Sequence, residues 1–99
     1  MLNITKKTEN GKLTLALEGR LDTVTAPELE KEVKESLDGV NELEMDCSKL
    51  DYISSAGLRV LLSAHKVMTS KGGMKVTHVN EIVAEVFDVT GFADILNIE

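Results

Sequence analysis

The chain has one cysteine in 99 residues, and Cys47 standing alone excludes an internal disulfide and any multi-cysteine zinc site. His65 and His78 are the only other soft ligands, and neither has metal-type spacing, so no metal or cofactor is expected. Basic residues are also short: 11 Lys+Arg face 17 Asp+Glu, a formal charge of −6. An acidic surface repels phosphate backbones and anionic headgroups, so neither nucleic acid nor a membrane is expected as a partner. No apolar run approaches the roughly 20 residues that span a bilayer. Met1 to Lys7 lacks the layout of a signal peptide, and with the lone thiol this suggests a cytoplasmic protein. Also missing are a nucleophile-elbow serine, a glycine-rich phosphate loop and a local histidine–carboxylate spacing, so the chain does not read as an enzyme.

What is present reads as one domain over residues 1–99, a length that supports a single core. Seven glycines and one proline act as punctuation. Leu2 to Thr8 and Lys12 to Glu18 flank Glu9-Asn10-Gly11, and Asn-Gly between alternating segments predicts a hairpin because both turn positions require positive φ. Thr25-Ala26-Pro27-Glu28 reads as a helix start with Thr25 as cap and Glu28 closing a capping box; Leu29, Val33 and Leu37 follow, and Gly39 supplies the stop. Leu43 to Ser48 alternates as a strand, and Leu50 to Ile53 leads into Ser54-Ser55-Ala56-Gly57 and a helix to about Ser70. Met74 to Val79 is a further strand, Asn80 caps a helix that Gly91 ends, and Phe92 to Ile98 suits either a last strand or a short helix. The expected fold is α/β: a small, mixed, mostly parallel sheet flanked by helices and opening with a hairpin.

On the second helix Arg59, Ser63, Lys66 and Ser70 share one side, and the apolar arc covers about 220°. A helix on a sheet needs little more than about 100°, so the surplus at Val60, Ala64 and Val67 must meet a neighbouring helix or another protein. His65, inside that arc, reads as a satisfied core histidine. Ser54 and Ser55 read first as caps for free N–H groups. Gly57 costs up to about 1 kcal/mol relative to alanine near a helix start, and close approach of another chain's backbone is one reason to tolerate it. Asp22 and Asp46 fall near the carboxyl ends of expected strands, where they would converge beside Ser54 and Ser55; turn chemistry is the plainer role for Asp22 and Thr23.

Four segments carry a resemblance. Gly19-Arg20-Leu21-Asp22, Leu43-Glu44-Met45-Asp46-Cys47-Ser48, Tyr52-Ile53-Ser54-Ser55-Ala56-Gly57-Leu58 and Val86-Phe87-Asp88-Val89-Thr90-Gly91-Phe92 resemble, in order and spacing, the signatures of the STAS family, specifically its stand-alone anti-sigma factor antagonists. The family's phosphorylated members carry a pattern of the type Asp-Ser-Ser-Gly-Leu. Set on Gly57, that pattern makes Ser55 the phosphoacceptor, with Ser54 in place of the aspartate and Ala56 in place of the second serine. The resemblance implies a partner-binding surface of Asp22, Thr23, Asp46, Ser54, Ala56, Gly57 and Arg59. It also implies partner switching: the unmodified protein binds an anti-sigma factor that is a serine kinase, phosphorylation ends the binding, and a serine phosphatase resets it. Two other readings accompany this one. One is a non-phosphorylated STAS scaffold subunit of a sensory or lipid-transport complex, for which Ser54 and Ala56 are the departures; the other is nucleotide binding at the acidic strand ends.

Overall fold

Asn10 and Gly11 both take left-handed backbone angles, with φ of 50° and 81°, and turn β1 (Leu2–Glu9) back antiparallel onto β2 (Lys12–Leu21). This is the hairpin that the Asn-Gly pair predicts. The computed structural model describes residues 2–99. After the hairpin come α1 (Ala26–Ser36), β3 (Glu42–Ile53), α2 (Ser55–Met68), β4 (Met74–Thr77), α3 (Glu81–Thr90) and a short 3-10 helix, Phe92–Asp94. The sheet order is β1-β2-β3-β4, with β2, β3 and β4 parallel, so the mixed, mostly parallel sheet is as expected.

One face of this sheet carries the core. Leu13, Leu15, Leu17 and Leu21 of β2 and Leu43, Met45, Cys47, Leu50 and Ile53 of β3 are buried together with Leu29 and Val33 of α1, Leu58, Leu61 and Met68 of α2, and Val83 and Phe87 of α3. The spacing along β3 changes from two residues to three after Cys47, which is why its second half does not read as a strand. The register explains it. Between Ala16 and Glu18 of β2, and again between Gly19 and Arg20, β3 advances one residue more than its partner, so β3 carries two bulges. Each bulge restores the inward phase that the extra residue would have reversed. Asp46 Oδ1 accepts from the Ser48 N–H at 3.0 Å and closes the first of them. Burial, with the charge of Asp46 acting the same way, pushes the Cys47 thiol up to about 12, so it stays protonated and inert at neutral pH.

Three local expectations change, at Thr25, at the end of β4 and at His65, and two that were open are decided. Thr25 is the residue before α1 but makes no side-chain cap there; its hydroxyl donates back to the Arg20 carbonyl at 2.7 Å. The strand β4 ends at Thr77, and His78 sits beyond it with φ of 60°, its Nδ1 3.0 Å from Thr77 Oγ1 and 3.4 Å from Asp46 Oδ1. The helices α1 and α2 lie side by side, burying Val60 and Ala64 within the chain, while Val67 remains 47% exposed in the groove with Val33 and Leu37. His65 is only half-buried, and its Nδ1 has no hydrogen-bond partner among the described residues. The ambiguous C-terminal segment does both things: the 3-10 helix comes first, and then Ile98 bridges parallel to Val76.

Asn80 joins two of these features. Its Oδ1 accepts from the Val83 N–H at 2.8 Å and caps α3, while its Nδ2 donates to the Leu50 carbonyl at 2.8 Å beside the second bulge. Asn80→Ala is therefore expected to destabilise the protein by about 2 kcal/mol in denaturant unfolding. Asn80→Ser, which keeps a capping oxygen and loses the Leu50 bond, is expected to fall between that variant and the parent.

Candidate functional site

The strands β2 and β3 finish together, with Leu21 opposite Ile53, and the Ser54 N–H donates to the Leu21 carbonyl at 2.8 Å as the last rung of the ladder. Ser54 is extended, with φ of −102° and ψ of 175°, and its carbonyl accepts from Leu58 N–H at 3.0 Å, so the chain passes from strand to α2 with no loop. The Ser54 hydroxyl does not cap: it is buried and has no partner among the described residues. Ser55 is the first residue of α2 and is exposed. The first N–H groups of a helix have no intrahelical acceptor and carry the positive end of its dipole. The first turns of α1 and α3 contain Glu28 and Glu81, whereas that of α2 contains no acid.

Gly57 fixes the position of this turn. A methyl group there would stand 2.6 Å from Leu21 Cγ, 2.9 Å from Leu21 Cδ2 and 3.0 Å from Ile53 Cγ1. The close approach that a glycine permits is thus made by this chain's own strand ends, and Gly57 is buried beneath the site.

The other wall of the site is the turn from β2 into α1. Asp22 Oδ1 accepts from the N–H groups of Val24 and Thr25 at 3.0 and 3.1 Å, Thr25 Oγ1 accepts from the Asp22 N–H at 2.9 Å, and the Asp22 carbonyl accepts from Ala26 N–H at 2.8 Å. The Thr25 backbone bond, aided by the Thr25 hydroxyl, the Val24 N–H and the Arg20 charge, holds the Asp22 carboxyl below its ordinary value against the opposing effect of desolvation. Arg20 lies 3.8 Å from Asp22 Oδ2 and stacks 4.5 Å from the Tyr52 ring centroid. Asp22 is thus a turn clasp, the plainer of its two sequence readings. The clasp presents Thr23 and Val24 to solvent, and Val24 is 81% exposed. A shallow hollow with Thr23, Pro27, Ala56 and Arg59 in its lining separates the turn from α2.

Asp22, Thr23, Ser54, Ser55, Ala56, Gly57 and Arg59 therefore share one end of the molecule. Asp46 does not join them. It pairs with Ala16, five β2 residues before Leu21, which puts it about 17 Å back along the sheet. It faces away from the helices and toward His78. The expectation that it converges on Ser54 and Ser55 fails because β3 continues through two bulges beyond the segment expected to end near Ser48. Val24 is the residue that sequence reasoning overlooked. A lone valine between Asp22-Thr23 and Thr25-Ala26-Pro27 belongs to no periodic pattern, so nothing in the sequence singles it out.

Known proteins share this fold. The STAS domain family matches residues 3–99. BtrV of Bordetella bronchiseptica, named as an anti-sigma factor antagonist, is 35% identical over 95% of this chain and 83% of its own. The crystal structure of an anti-sigma factor antagonist from Mycobacterium paratuberculosis superposes with a TM-score of 0.90 at 21% identity, covering 99% of this chain and 85% of that one. SpoIIAA of Bacillus, an anti-sigma factor antagonist, matches in its unphosphorylated form with a TM-score of 0.75 at 12% identity over 100% and 87% of the two chains. Its phosphorylated form matches with a TM-score of 0.73 at 13% identity over 100% and 91%.

Two measurements check this geometry. Gly57→Ala is expected to lose about 1–3 kcal/mol of stability through overpacking, although helix propensity alone favours alanine by about 1 kcal/mol. Combined with Leu21→Ala it is expected to cost less than the two single changes together, and strict additivity would show that the two side chains do not meet. A carboxyl whose folded value is depressed stabilises the fold above its unfolded value and loses that contribution as pH falls through the folded one. Acidification below the ordinary carboxylate range is therefore expected to titrate Asp22 by NMR and release the Val24 and Thr25 amides in the same step. Asp22→Asn removes that step.

Proposed function

The chain belongs to the STAS domain family, and on that premise we propose that it is an anti-sigma factor antagonist switched by phosphorylation of Ser55. The observation that carries the reading is the exposure of Ser55 at the first position of α2, in a turn with no acidic side chain of its own. A phosphate on that hydroxyl meets free N–H groups and the positive end of a helix dipole, so the modified domain keeps its fold. The match to SpoIIAA in both its states supports this.

In the unmodified protein the exposed end formed by Thr23, Val24, Ser55, Ala56 and Arg59 binds an anti-sigma factor and so frees a sigma factor. Asp22 holds the Thr23–Val24 turn, and Gly57 holds the first turn of α2. When the anti-sigma factor is itself a serine kinase, Ser55 Oγ attacks the γ-phosphorus of its ATP, ADP leaves, and a base on the kinase takes the hydroxyl proton. The added charge of about −1.5 to −2 then faces the partner's contact groups, and the complex separates. A serine phosphatase restores the hydroxyl by hydrolysis. These steps take place in the cytoplasm. Asp46 lies outside this surface. Ser54 stands where phosphorylated relatives of this type carry an aspartate, and its buried hydroxyl makes it a poor acceptor beside the exposed Ser55.

Incubation with the cognate kinase and ATP, followed by peptide mass spectrometry, is expected to place phosphate on Ser55 and to find none in Ser55→Ala. Phosphate at Ser54, or incorporation unchanged in Ser55→Ala, would overturn the assignment. Ser55→Asp is expected to weaken anti-sigma factor binding by at least about a hundredfold, or about 3 kcal/mol, with the melting temperature within a few degrees of the parent.

A further inference from the structure

The formal charge of −6 is unevenly spread. Residues 1–80 hold 12 acids against all 11 Lys and Arg, whereas residues 81–99 hold Glu81, Glu85, Asp88, Asp94 and Glu99 and no Lys or Arg. Five of the six net charges thus belong to the last 19 residues. Among the described residues, no ion pair engages Glu81, Glu85 or Asp88.

The helix α3 within that segment has two apolar faces where a surface helix needs one. Val83 and Phe87 are fully buried against the sheet. At about 100° per residue, Ile82, Val86 and Val89 fall within about 60° of one another on a separate face, and Glu81, Glu85 and Asp88 follow it round the helix on the side away from the core. Ile82 is 60% exposed, Val89 is 80% exposed, and Val86 between them is half-buried at the edge of the core. Water is a poor partner for three aliphatic side chains in line, and such a stripe edged by charge is the form of a docking face.

We propose that this face of α3 binds a second protein segment, a basic amphipathic helix whose aliphatic stripe covers Ile82, Val86 and Val89 and whose Lys or Arg side chains meet Glu81, Glu85 and Asp88. Charge selects the occupant. A second copy of this chain would bring the same three carboxylates against themselves with no base on the helix to pair them, and like charges in apposition oppose association. A basic helix gains both the apolar contact and the charge complementarity, the arrangement of an amphipathic helix laid along an apolar surface. This surface belongs to a different element from the Ser55 end, so the two are separable by mutation.

The test uses the full chain and two synthetic 18-residue helical peptides that share one leucine stripe, one flanked by lysine and the other by glutamate. In low salt the lysine peptide is expected to shift the amide resonances of α3 and to bind at least tenfold more tightly than the glutamate peptide. Raising the salt to about 0.5 M is expected to narrow that gap. Ile82→Ser with Val89→Ser is expected to weaken the lysine peptide at least tenfold with an unchanged circular dichroism spectrum. Glu85→Lys with Asp88→Lys is expected to reverse the preference. Shifts confined to the α1–α2 groove or the open sheet face, equal affinity for both peptides, or a dimer in sedimentation that Ile82→Ser abolishes would each overturn the proposal.

Discussion

The contact between Gly57 and the side chains of Leu21 and Ile53 determines how this molecule is put together. Two parallel strands end in register, and the helix that follows one of them must turn over both ends at once. Only a residue without a Cβ lets its first turn come that close. Any larger residue lifts the turn and with it Ser55, Ala56 and Arg59. The Ser54 N–H bond to the Leu21 carbonyl is the polar half of the same junction. Apolar contact sets how near the helix lies, and the hydrogen bond sets its register on the sheet.

That junction was only half legible in the sequence. Asn10-Gly11, Asn80 and Gly91 each act where local chemistry places them, because a turn or a cap depends on a few neighbouring residues. The inward phase of β2 is equally plain, since Leu13, Leu15 and Leu17 alternate without interruption. The strand β3 is different. Its two bulges change the spacing of buried residues from two to three, and a bulge depends on what the partner strand does across the ladder, which periodicity along one segment does not record. The misplacement of Asp46 follows from that alone. Gly57 signalled an unusual close approach, but a sequence does not say whether the approaching atoms belong to the same chain.

Asp22 and Thr25 show a second limit. Both are capping residues by type, and capping by the nearest helix is the ordinary inference. Here their side chains are spent on each other and on Arg20, and the turn between β2 and α1 becomes a closed ring of hydrogen bonds. The helix α1 starts without a side-chain cap and offsets this with Pro27, which has no N–H to satisfy, and with Glu28 near its dipole. The consequence is stiffness where stiffness serves recognition: Thr23 and Val24 are held out from the body of the protein by a carboxylate bonded to the N–H groups of its own turn.

The proposed switch depends on this division of labour between buried and exposed groups. If Asp22 were free, a phosphate at Ser55 would repel it and shift the turn, and the modification would be read as a change of shape. With Oδ1 of Asp22 already held by backbone N–H groups, and no acid in the first turn of α2, the new charge meets a turn that is braced against displacement. Its repulsion acts outward, on whatever covers Thr23, Val24 and Ser55. A small domain can in this way change its binding without changing its fold.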